Sequence, residues 1–353
     1  MTLFDLGRSE LKGLIENEPR YRFDQIWNGL YKNYSLPSEL TTLPKALREH
    51  LSSLGEMSLA LSEKEVLFTD DKKTIKTLYS LSDSREIESV LMAYSDRVTL
   101  CVSSQAGCAM GCVFCATGQA GFFRHLTKGE ILEQIFRASR TSRDIFGGRL
   151  SNIVFMGMGE PMANYDAVID AIGAINFEFG ISARHITIST VGIAPGIRRL
   201  ADSPMPISLA VSLHAANDEK RSKLVPINSR YPLGEIIEAL KYYQSKQNRR
   251  ISFEWAMMDG INDSPADAFE LAEIARELSA HVNLIPLNPT PLWPYPGSPI
   301  EIVEGFRNRL LELDVNATIR QNRGNQIAAA CGQLTTQMSP RKRSSSPRPD
   351  PID

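Results

Sequence analysis

The sequence predicts an α/β protein in which a small helical unit precedes a repeating series of strands and helices. Three observations support this prediction. The chain has 353 residues, of which 42% are apolar, enough for a sizeable core. Its N-terminal part spaces apolar side chains with the period of a helix. The longer part that follows alternates short β-branched or apolar runs with helical stretches.

The N-terminal part predicts a small helical bundle followed by a hairpin. Residues 3–17, 22–32 and 43–54 carry apolar side chains at three- and four-residue spacing, as in an amphipathic helix. A polar turn joins the two predicted strands 75–81 and 87–93. We therefore expect residues 1–94 to form a helical accessory domain, which the β-hairpin links to the rest of the chain.

From residue 95 onward the pattern predicts strand–helix units. Thr127 and Glu130 form a capping box at the start of one helix, and Ser264 followed by Pro265 starts another. Units of this kind indicate a parallel sheet, either doubly wound or an incomplete barrel, in a domain of residues 95–336. The predicted strands are 97–102, 152–156, 185–190, 207–213, 251–258 and 282–287, with a seventh at 317–321. Residues 337–353 are a basic low-complexity tail, which we expect to be disordered.

Composition and charge narrow the functional classes. The 39 Lys and Arg residues against 41 Asp and Glu residues give a formal net charge of −2, which excludes a wholly basic nucleic-acid coat protein. No apolar run has the length of a membrane span, and the charged start lacks a signal-peptide core, so we expect a soluble cytoplasmic protein. Four of the five cysteines fall between residues 101 and 115, which favours metal or redox chemistry over a disulfide framework.

Three cysteines follow the first predicted strand of the repeating part. Cys108, Cys112 and Cys115 have the spacing C-x3-C-x2-C. Three thiolates in one loop can bind three irons of a [4Fe–4S] cluster and leave the fourth iron open to a ligand. The alternative is a structural zinc site with Cys101 as the fourth ligand. Phe114 precedes the last cysteine and matches the C-x3-C-x-aromatic-C signature of radical S-adenosylmethionine (SAM) enzymes.

Longer segments extend this signature to a family. The segments are CVSSQAGCAMGCVFCATG, FMGMGEPMANY, ITISTVGI, LAVSLHAANDEKRSKLVPIN, LIPLNP and RGNQIAAACGQL, in this order along the chain. Together they resemble the radical-SAM adenosine C2 methyltransferases of RNA, the RlmN type, with the Cfr-type C8 enzymes as near relatives. The N-terminal EPRYRFDQIW and LPKALREHL are similar to the same family. The resemblance implies a partial (β/α)6 radical-SAM barrel whose N-terminal helical accessory domain contacts RNA.

The resemblance also implies the cofactors and the residues that hold them. The cofactors are one [4Fe–4S] cluster, held by Cys108, Cys112 and Cys115, and two SAM molecules per turnover. The residues that match the family's SAM contacts lie at or just after predicted strand ends, where α/β proteins build ligand sites. They are Gly159, Glu160, Ser189, Ser212, Leu213, His214 and Asn288.

Three further residues gain roles from the resemblance alone. Without it, Cys101 and Cys331 would be ordinary buried thiols, and Glu88 a solvated strand residue. In the family, the residue matching Cys331 is methylated on sulfur, and a 5′-deoxyadenosyl radical removes hydrogen from that methyl group. The resulting carbon radical adds to adenine C2, and the residue matching Glu88 accepts the C2 proton. The residue matching Cys101 then forms a disulfide with Cys331 and releases the product.

The implied substrates are adenosines in large-subunit (23S) ribosomal RNA and in transfer RNA anticodon loops. A cytosolic electron donor and a monomeric enzyme are also expected. Local basic groups are expected to contact RNA phosphates. They are Arg124 and Lys128, Arg198 and Arg199, Lys220, Arg221 and Lys223, and Arg320 and Arg323. Three alternatives stay open: a C8 methyltransferase, a radical SAM enzyme acting on a small molecule or protein, and a zinc-stabilised RNA-binding protein without catalysis.

Overall fold

One large sheet, covered by helices, forms the centre of the protein. The structure, a computed structural model, describes residues 2–320 and 323–334. The helices are α1 (Arg8–Leu14), α2 (Arg20–Tyr31), α3 (Lys45–Ser53), α4 (Ala116–Ala120), α5 (Lys128–Phe146), α6 (Tyr165–Phe177), α7 (Ala194–Ala201), α8 (Asp218–Leu224), α9 (Leu233–Lys246), α10 (Pro265–Glu277) and α11 (Ile300–Glu312). In the described part of the chain, none of these helices is long and apolar enough to cross a membrane.

The strands form a ten-stranded sheet and a small two-stranded ribbon. They are β1 (Ser62–Phe68), β2 (Thr74–Ser80), β3 (Glu86–Ala93), β4 (Val98–Cys101), β5 (Gln105–Gly107), β6 (Phe122–His125), β7 (Leu150–Phe155), β8 (Ile186–Thr190), β9 (Ser208–Ser212), β10 (Ile251–Met257), β11 (His281–Pro286) and β12 (Ala317–Ile319). The order in the large sheet is β1-β2-β3-β4-β7-β8-β9-β10-β11-β12, and β5 pairs with β6.

The predicted strand–helix part is confirmed as a run of parallel strands. Each neighbouring pair from β4 to β12 in the large sheet is parallel, and the six main predicted strands are β4, β7, β8, β9, β10 and β11. Helices connect the strands, as a parallel sheet requires. The carboxyl ends of all these strands therefore meet at one edge, which makes that edge the natural place for a ligand site.

Three antiparallel strands extend the sheet on the N-terminal side. The predicted hairpin is present as β2 and β3, and β1 adds an outer strand that sequence patterning did not predict. The first four residues of β1 are exposed. An exposed edge strand does not need alternating apolar residues, so its sequence shows no strand pattern. β3 pairs with β4, so the sheet crosses the predicted domain boundary at residue 94.

The apolar core also crosses that boundary. The ring of Phe4 lies 5.0 Å from the ring of Phe136 on α5, and Trp27 on α2 donates a hydrogen bond to Glu178 at 2.7 Å. The first predicted helix, 3–17, is shorter in the structure. A separate turn at Leu3–Asp5 precedes α1, which covers only Arg8–Leu14. The predicted tail 337–353 lies outside the described residues.

Candidate active site

A cavity of about 950 Å³ opens at the carboxyl ends of the parallel strands. Most of the predicted site residues line it, namely Cys112, Cys115, Gly159, Glu160, Ser189, Ser212, His214, Asn288 and Cys331. The fold therefore gathers groups from six separate chain segments into one pocket.

The predicted cluster cysteines lie in the loop between β5 and α4. Gly107 starts this loop in the left-handed backbone region, and a Cβ atom there would lie 2.0 Å from the carbonyl oxygen of Gly121. Only glycine suits that position. Burial raises the pKa of the Cys108 thiol to about 12 and the pKa of Cys112 well above its ordinary value. Burial also raises the pKa of Cys115, although hydrogen bonds from backbone N–H groups in α4 lower it in part. A metal cluster would offset this cost, because it binds the thiolate form.

The arrangement of the thiols suits a cluster. The charges of Cys115 and Cys108 add to burial in raising the pKa of Cys112, so the three thiols are close enough to influence one another's ionisation. No three His, Cys, Asp or Glu side chains of the described chain are spaced to share a single metal ion. A [4Fe–4S] cluster matches such a set, because each thiolate binds a different iron.

The predicted fourth ligand of the zinc alternative lies elsewhere. Burial raises the pKa of Cys101 to about 12, and the further influences on it come from Cys331, Arg320 and a backbone group at Met156. None of the three loop cysteines is among the groups that shift the pKa of Cys101. Cys101 therefore belongs with Cys331, and the alternative four-cysteine zinc site lacks its fourth ligand.

The loop after β7 places Gly159 and Glu160 in the cavity wall. Gly159 has φ +102°, and a Cβ atom there would lie 2.5 Å from the side chain of Gln105. Both carboxylate oxygens of Glu160 accept backbone hydrogen bonds, one from Met162 and one from Val191, each at 2.9 Å. Burial raises the pKa of Glu160 to about 7. Glu160 thus ties the loops after β7 and β8 together at the cavity.

The ends of β8 and β9 contribute polar groups at one side of the cavity. The hydroxyls of Ser189 and Ser212 lie 3.5 Å apart. His214 has φ +60°, and its Nδ1 atom accepts a hydrogen bond from the backbone N–H of Ala256 at 3.0 Å. Burial lowers the pKa of His214 to about 3, so the ring is neutral and carries its proton on Nε2. Leu213, in contrast, is buried and does not line the cavity, and its backbone N–H donates a hydrogen bond to the carbonyl of Glu254 at 3.0 Å.

Two further groups line the cavity, and the sequence predicted only one of them. Asn288, a predicted SAM contact, donates a hydrogen bond from Nδ2 to the carbonyl of Cys331 at 3.3 Å. Glu254, on β10 beside Ser212, was not predicted. Its Oε1 accepts a hydrogen bond from Asn283 at 2.8 Å, whereas its buried Oε2 has no hydrogen-bond partner among the described residues and forms an ion pair of 3.7 Å with Arg320. An acceptor without a hydrogen bond in the cavity wall suits a ligand with hydrogen-bond donors, and SAM has both hydroxyl and amino groups.

The two remaining cysteines meet beside this cavity. A second, adjoining cavity shares Cys331 and Arg320 with the first and is also lined by Cys101 and Tyr94. The charge of Cys331 is the largest influence that raises the pKa of Arg320, followed among the raising groups by Glu254 and Cys101. The Arg320 guanidinium therefore lies beside both thiols. Both are free thiols.

Glu88 is buried, in contrast to its interpretation as a solvated residue from the pattern alone. Its residue exposure is 4%, and its carboxylate forms an ion pair of 3.0 Å with Lys76. The sheet register aligns Val90 with both Lys76 and Cys101. Side chains two residues apart on a strand share a face, so Glu88, Lys76 and Cys101 lie on one face of the sheet.

The structure corrects part of the predicted phosphate-binding set. Arg221 is fully buried and donates hydrogen bonds to the carbonyl of Leu213 at 3.1 Å and to Asn228 at 2.6 Å. It therefore stabilises the loop after β9 and is unavailable to RNA. Arg320 lines the two cavities. Arg124 already pairs with the carboxylates of Asp83 and Glu130, which reduces the number of free cations near the site.

Known proteins match this chain over nearly its whole length. Residues 102–272 match the Radical SAM superfamily. A protein of Myxococcus xanthus named dual-specificity RNA methyltransferase RlmN 1 is 45% identical, in an alignment that covers 98% of this chain and 97% of the relative. The chain belongs to the RlmN family. A relative from Corynebacterium glutamicum with the same RlmN designation is 47% identical, covering 91% of this chain and 89% of its own.

A solved structure agrees with this assignment. The crystal structure of a radical SAM methyltransferase from Sphaerobacter thermophilus is 46% identical, has a TM-score of 0.91, and covers 95% of this chain and 99% of its own. The predicted α/β radical-SAM fold is thereby confirmed. As a radical SAM methyltransferase of the RlmN family, the protein uses a [4Fe–4S] cluster and SAM. The C8 alternative is not favoured, since both relatives carry the RlmN designation, and the non-catalytic zinc alternative is excluded.

Proposed function

We propose that this RlmN-family enzyme methylates C2 of adenosine in large-subunit (23S) ribosomal RNA and in transfer RNA anticodon loops. The observation that carries the proposal is the meeting of Cys101 and Cys331 beside the cavity, with Arg320 against both. A carbon carried on one thiol needs a second thiol to release it, and the fold brings the two together from distant parts of the chain. The RNA methyltransferase names of the relatives support RNA as the substrate class.

The target atom explains why the site has these parts. Adenine C2 lies between two ring nitrogens and is electron-poor, so it cannot attack a SAM methyl group as an amine does. When bound, the cluster supplies the electron that converts SAM to a 5′-deoxyadenosyl radical. In this proposal Cys108, Cys112 and Cys115 hold the cluster.

The cavity wall supplies the contacts proposed for SAM. Ser189 and Ser212 offer hydroxyls, His214 offers a neutral Nε2–H donor, and Glu254 offers a carboxylate oxygen that accepts no hydrogen bond from the described residues. Gly159 lines the cavity, and its missing side chain lets this loop pack against Gln105. Two of the proposed contacts act differently. Leu213 holds the end of β9 through its backbone hydrogen bonds to Glu254 and Arg221, and Glu160 holds the loops after β7 and β8 together.

On the other side of Cys331, three groups of the chain complete the transfer. The 5′-deoxyadenosyl radical removes one hydrogen atom from the methyl group on Cys331, and the resulting carbon radical bonds to C2. The adduct then loses one electron, which the oxidised cluster would accept, and the C2 proton, which Glu88 accepts. The Cys101 sulfur then attacks the Cys331 sulfur. The bond between that sulfur and carbon breaks, its electron pair stays with the carbon, and a proton completes the methyl group. The two thiols end as a disulfide, which a cytosolic reductant returns to the dithiol.

Arg320 prepares Cys101 for this step. Burial, with a smaller contribution from the charge of Cys331, raises the pKa of Cys101 to about 12 even with Arg320 beside it, which keeps the thiol protonated near neutral pH. The Arg320 cation acts in the opposite direction, because it stabilises a thiolate. The target base must leave its stack to reach these groups, and loops release a base at the lowest cost. We also propose that the enzyme is a cytoplasmic monomer that takes electrons from a cytosolic donor.

Product analysis tests the proposal. The reconstituted enzyme is incubated anaerobically with SAM, a reductant and a ribosomal or transfer RNA fragment, and the RNA is digested to nucleosides for mass spectrometry. We expect 2-methyladenosine, and none with Cys331→Ala. If 8-methyladenosine forms instead, the enzyme is of the C8 type. If no methylated adenosine forms while SAM is cleaved normally, RNA is not the substrate.

A further inference from the structure

One buried cation is unused by the proposed mechanism. Lys76 lies on β2, and only 10% of its side chain is exposed. Its cross-strand neighbour is Val90, so it lies on the same face as Glu88 and Cys101. Burying an ammonium group costs several kcal/mol unless it is paired, and a pair of apolar residues often stabilises a fold as well as a buried ion pair. Stability alone therefore gives little reason for a lysine here.

The Lys76 ammonium joins two parts of the site. It forms the ion pair of 3.0 Å with the carboxylate of Glu88. It also donates a hydrogen bond to the carbonyl oxygen of Ala328 at 3.2 Å. Ala328 precedes Cys331 by three residues, in the loop that carries this cysteine. One side chain thus contacts both the proposed base and the loop of the proposed methyl carrier.

The loop needs such support. Gly324 and Ala328 both have positive φ angles, +78° and +48°. A left-handed conformation is unfavourable for an alanine, so contacts elsewhere must hold Ala328 in it. The bond from Lys76 to the Ala328 carbonyl is such a contact. Loss of this bond would free the loop to relax and would change where Cys331 lies relative to Glu88.

We propose that Lys76 is a positioning residue that holds the Glu88 carboxylate and the Cys331 loop in one geometry for methyl transfer. This inference rests on the proposed roles of Glu88 and Cys331. Lys76 does not contact the cluster cysteines in the structure, so its removal leaves SAM cleavage intact and slows the transfer to RNA. A purely structural lysine would reduce both in proportion.

The test compares three replacements of Lys76 in the reconstituted holoenzyme. Lys76→Met removes charge and donors, Lys76→Gln keeps a donor without the charge, and Lys76→Arg keeps both. Lys64→Met, on the exposed part of β1, is the matched control. For each variant we would measure cluster absorbance, the 5′-deoxyadenosine formed from SAM, and the rate of RNA methylation.

We expect Lys76→Met to keep cluster content and SAM cleavage within about twofold of the wild type and to lose at least about tenfold in RNA methylation, as small misplacements of reacting groups do. Lys76→Arg should recover most of the loss, Lys76→Gln less, and Lys64→Met should behave as the wild type. Equal methylation by Lys76→Met and the wild type would overturn the proposal, as would an arginine variant no better than the methionine variant. If Lys76→Met fails to hold the cluster, Lys76→Gln is compared with Lys76→Arg instead. Slower RNA methylation by Lys76→Gln at equal SAM cleavage supports the proposal, and equal methylation by the two variants overturns it.

A double-mutant cycle with Glu88→Gln separates this inference from the proposed function. If Lys76 acts through Glu88, the double variant Lys76→Met with Glu88→Gln should be no slower than the slower single variant. Losses that multiply would show that Lys76 acts independently of Glu88. A Glu88→Gln enzyme with wild-type turnover would refute the base assignment itself. A slow Glu88→Gln beside a normal Lys76→Met would refute only the role of Lys76.

Discussion

Alanine replacement of the two transfer thiols, one at a time, should block the reaction at different stages. Cys331 is proposed to carry the transferred carbon, so Cys331→Ala should form no covalent bond to RNA. Cys101 acts only after that bond exists. Cys101→Ala should therefore accumulate enzyme joined to RNA through the methylene group on Cys331, and should form little free product.

The structure predicts that the two variants differ little in stability. Cys101 is 8% exposed and Cys331 is partly exposed, and each change removes one sulfur atom from beside Arg320. The loss of one buried atom of this size costs about 1 kcal/mol. For a chain of this length that corresponds to a melting temperature lowered by about 2 °C. Both variants should fold, and packing alone gives no reason for different RNA adducts.

Denaturing gels provide the assay. Each variant is reconstituted anaerobically, its cluster is checked by absorbance, and it is incubated with SAM, a reductant and end-labelled RNA. A reducing gel breaks disulfides but preserves a thioether link between Cys331 and the base. A slowly migrating labelled species is expected in Cys101→Ala only, with free methylated product lowered by about 100-fold or more.

Two results would contradict the assignment of the thiols. An adduct in both variants would mean that Cys331 is not the attachment point. No adduct in either variant, with the cluster intact in both, would mean that transfer does not pass through a covalent thioether. The double variant is the internal control, since it should match Cys331→Ala.

Three further predictions address the cluster, the proton acceptor and the neutral histidine. Alanine in place of Cys108, Cys112 or Cys115 should abolish SAM cleavage, measured as 5′-deoxyadenosine, and an active variant that holds zinc without iron would contradict the cluster assignment. Glu88→Gln should keep cluster content and SAM binding and slow RNA methylation by about 10²-fold or more, because an amide cannot accept the C2 proton; unchanged turnover would return Glu88 to a structural role. The pKa of His214 is lowered from 6.5 to about 3 in the fold, so the unfolded chain takes up this proton first as pH falls. Relative to His214→Gln, the wild type should therefore lose about 2 kcal/mol of unfolding free energy between pH 7 and pH 5 in urea titrations, and a constant difference would mean that the ring is charged in the fold.

Much of the parallel sheet was predictable, because its strands are buried on both faces. A run such as Ile251–Met257, in which all residues but one are buried, needs mostly apolar side chains, and this requirement is visible in the sequence. Ser62–Phe68 was missed for the opposite reason. It is an exposed edge strand, held by hydrogen bonds to its neighbour, and its polar side chains show no periodicity.

The cluster loop could be predicted, whereas the buried charges could not. Cys108, Cys112 and Cys115 lie within eight residues, so their spacing alone brings the thiols together. Arg221 lies in a run of basic residues typical of a solvated helix face, yet it is fully buried against the carbonyl of Leu213. No local pattern distinguishes a solvated arginine from a buried one, because burial depends on which segments pack over the helix.

What the sequence by itself determined is the chemistry that depends on short-range spacing: the C-x3-C-x2-C loop, the strand–helix repeat, and a family resemblance carried by contiguous segments. The tertiary structure decided which distant groups share the site. It brought Cys101 beside Cys331, paired Glu254 with Arg320 in the cavity wall, and tied Lys76 to Glu88 and to the Cys331 loop. The physical reason is that the ionisation and reach of a side chain depend on its burial and on its charged neighbours, and both arise from contacts between segments far apart in the chain.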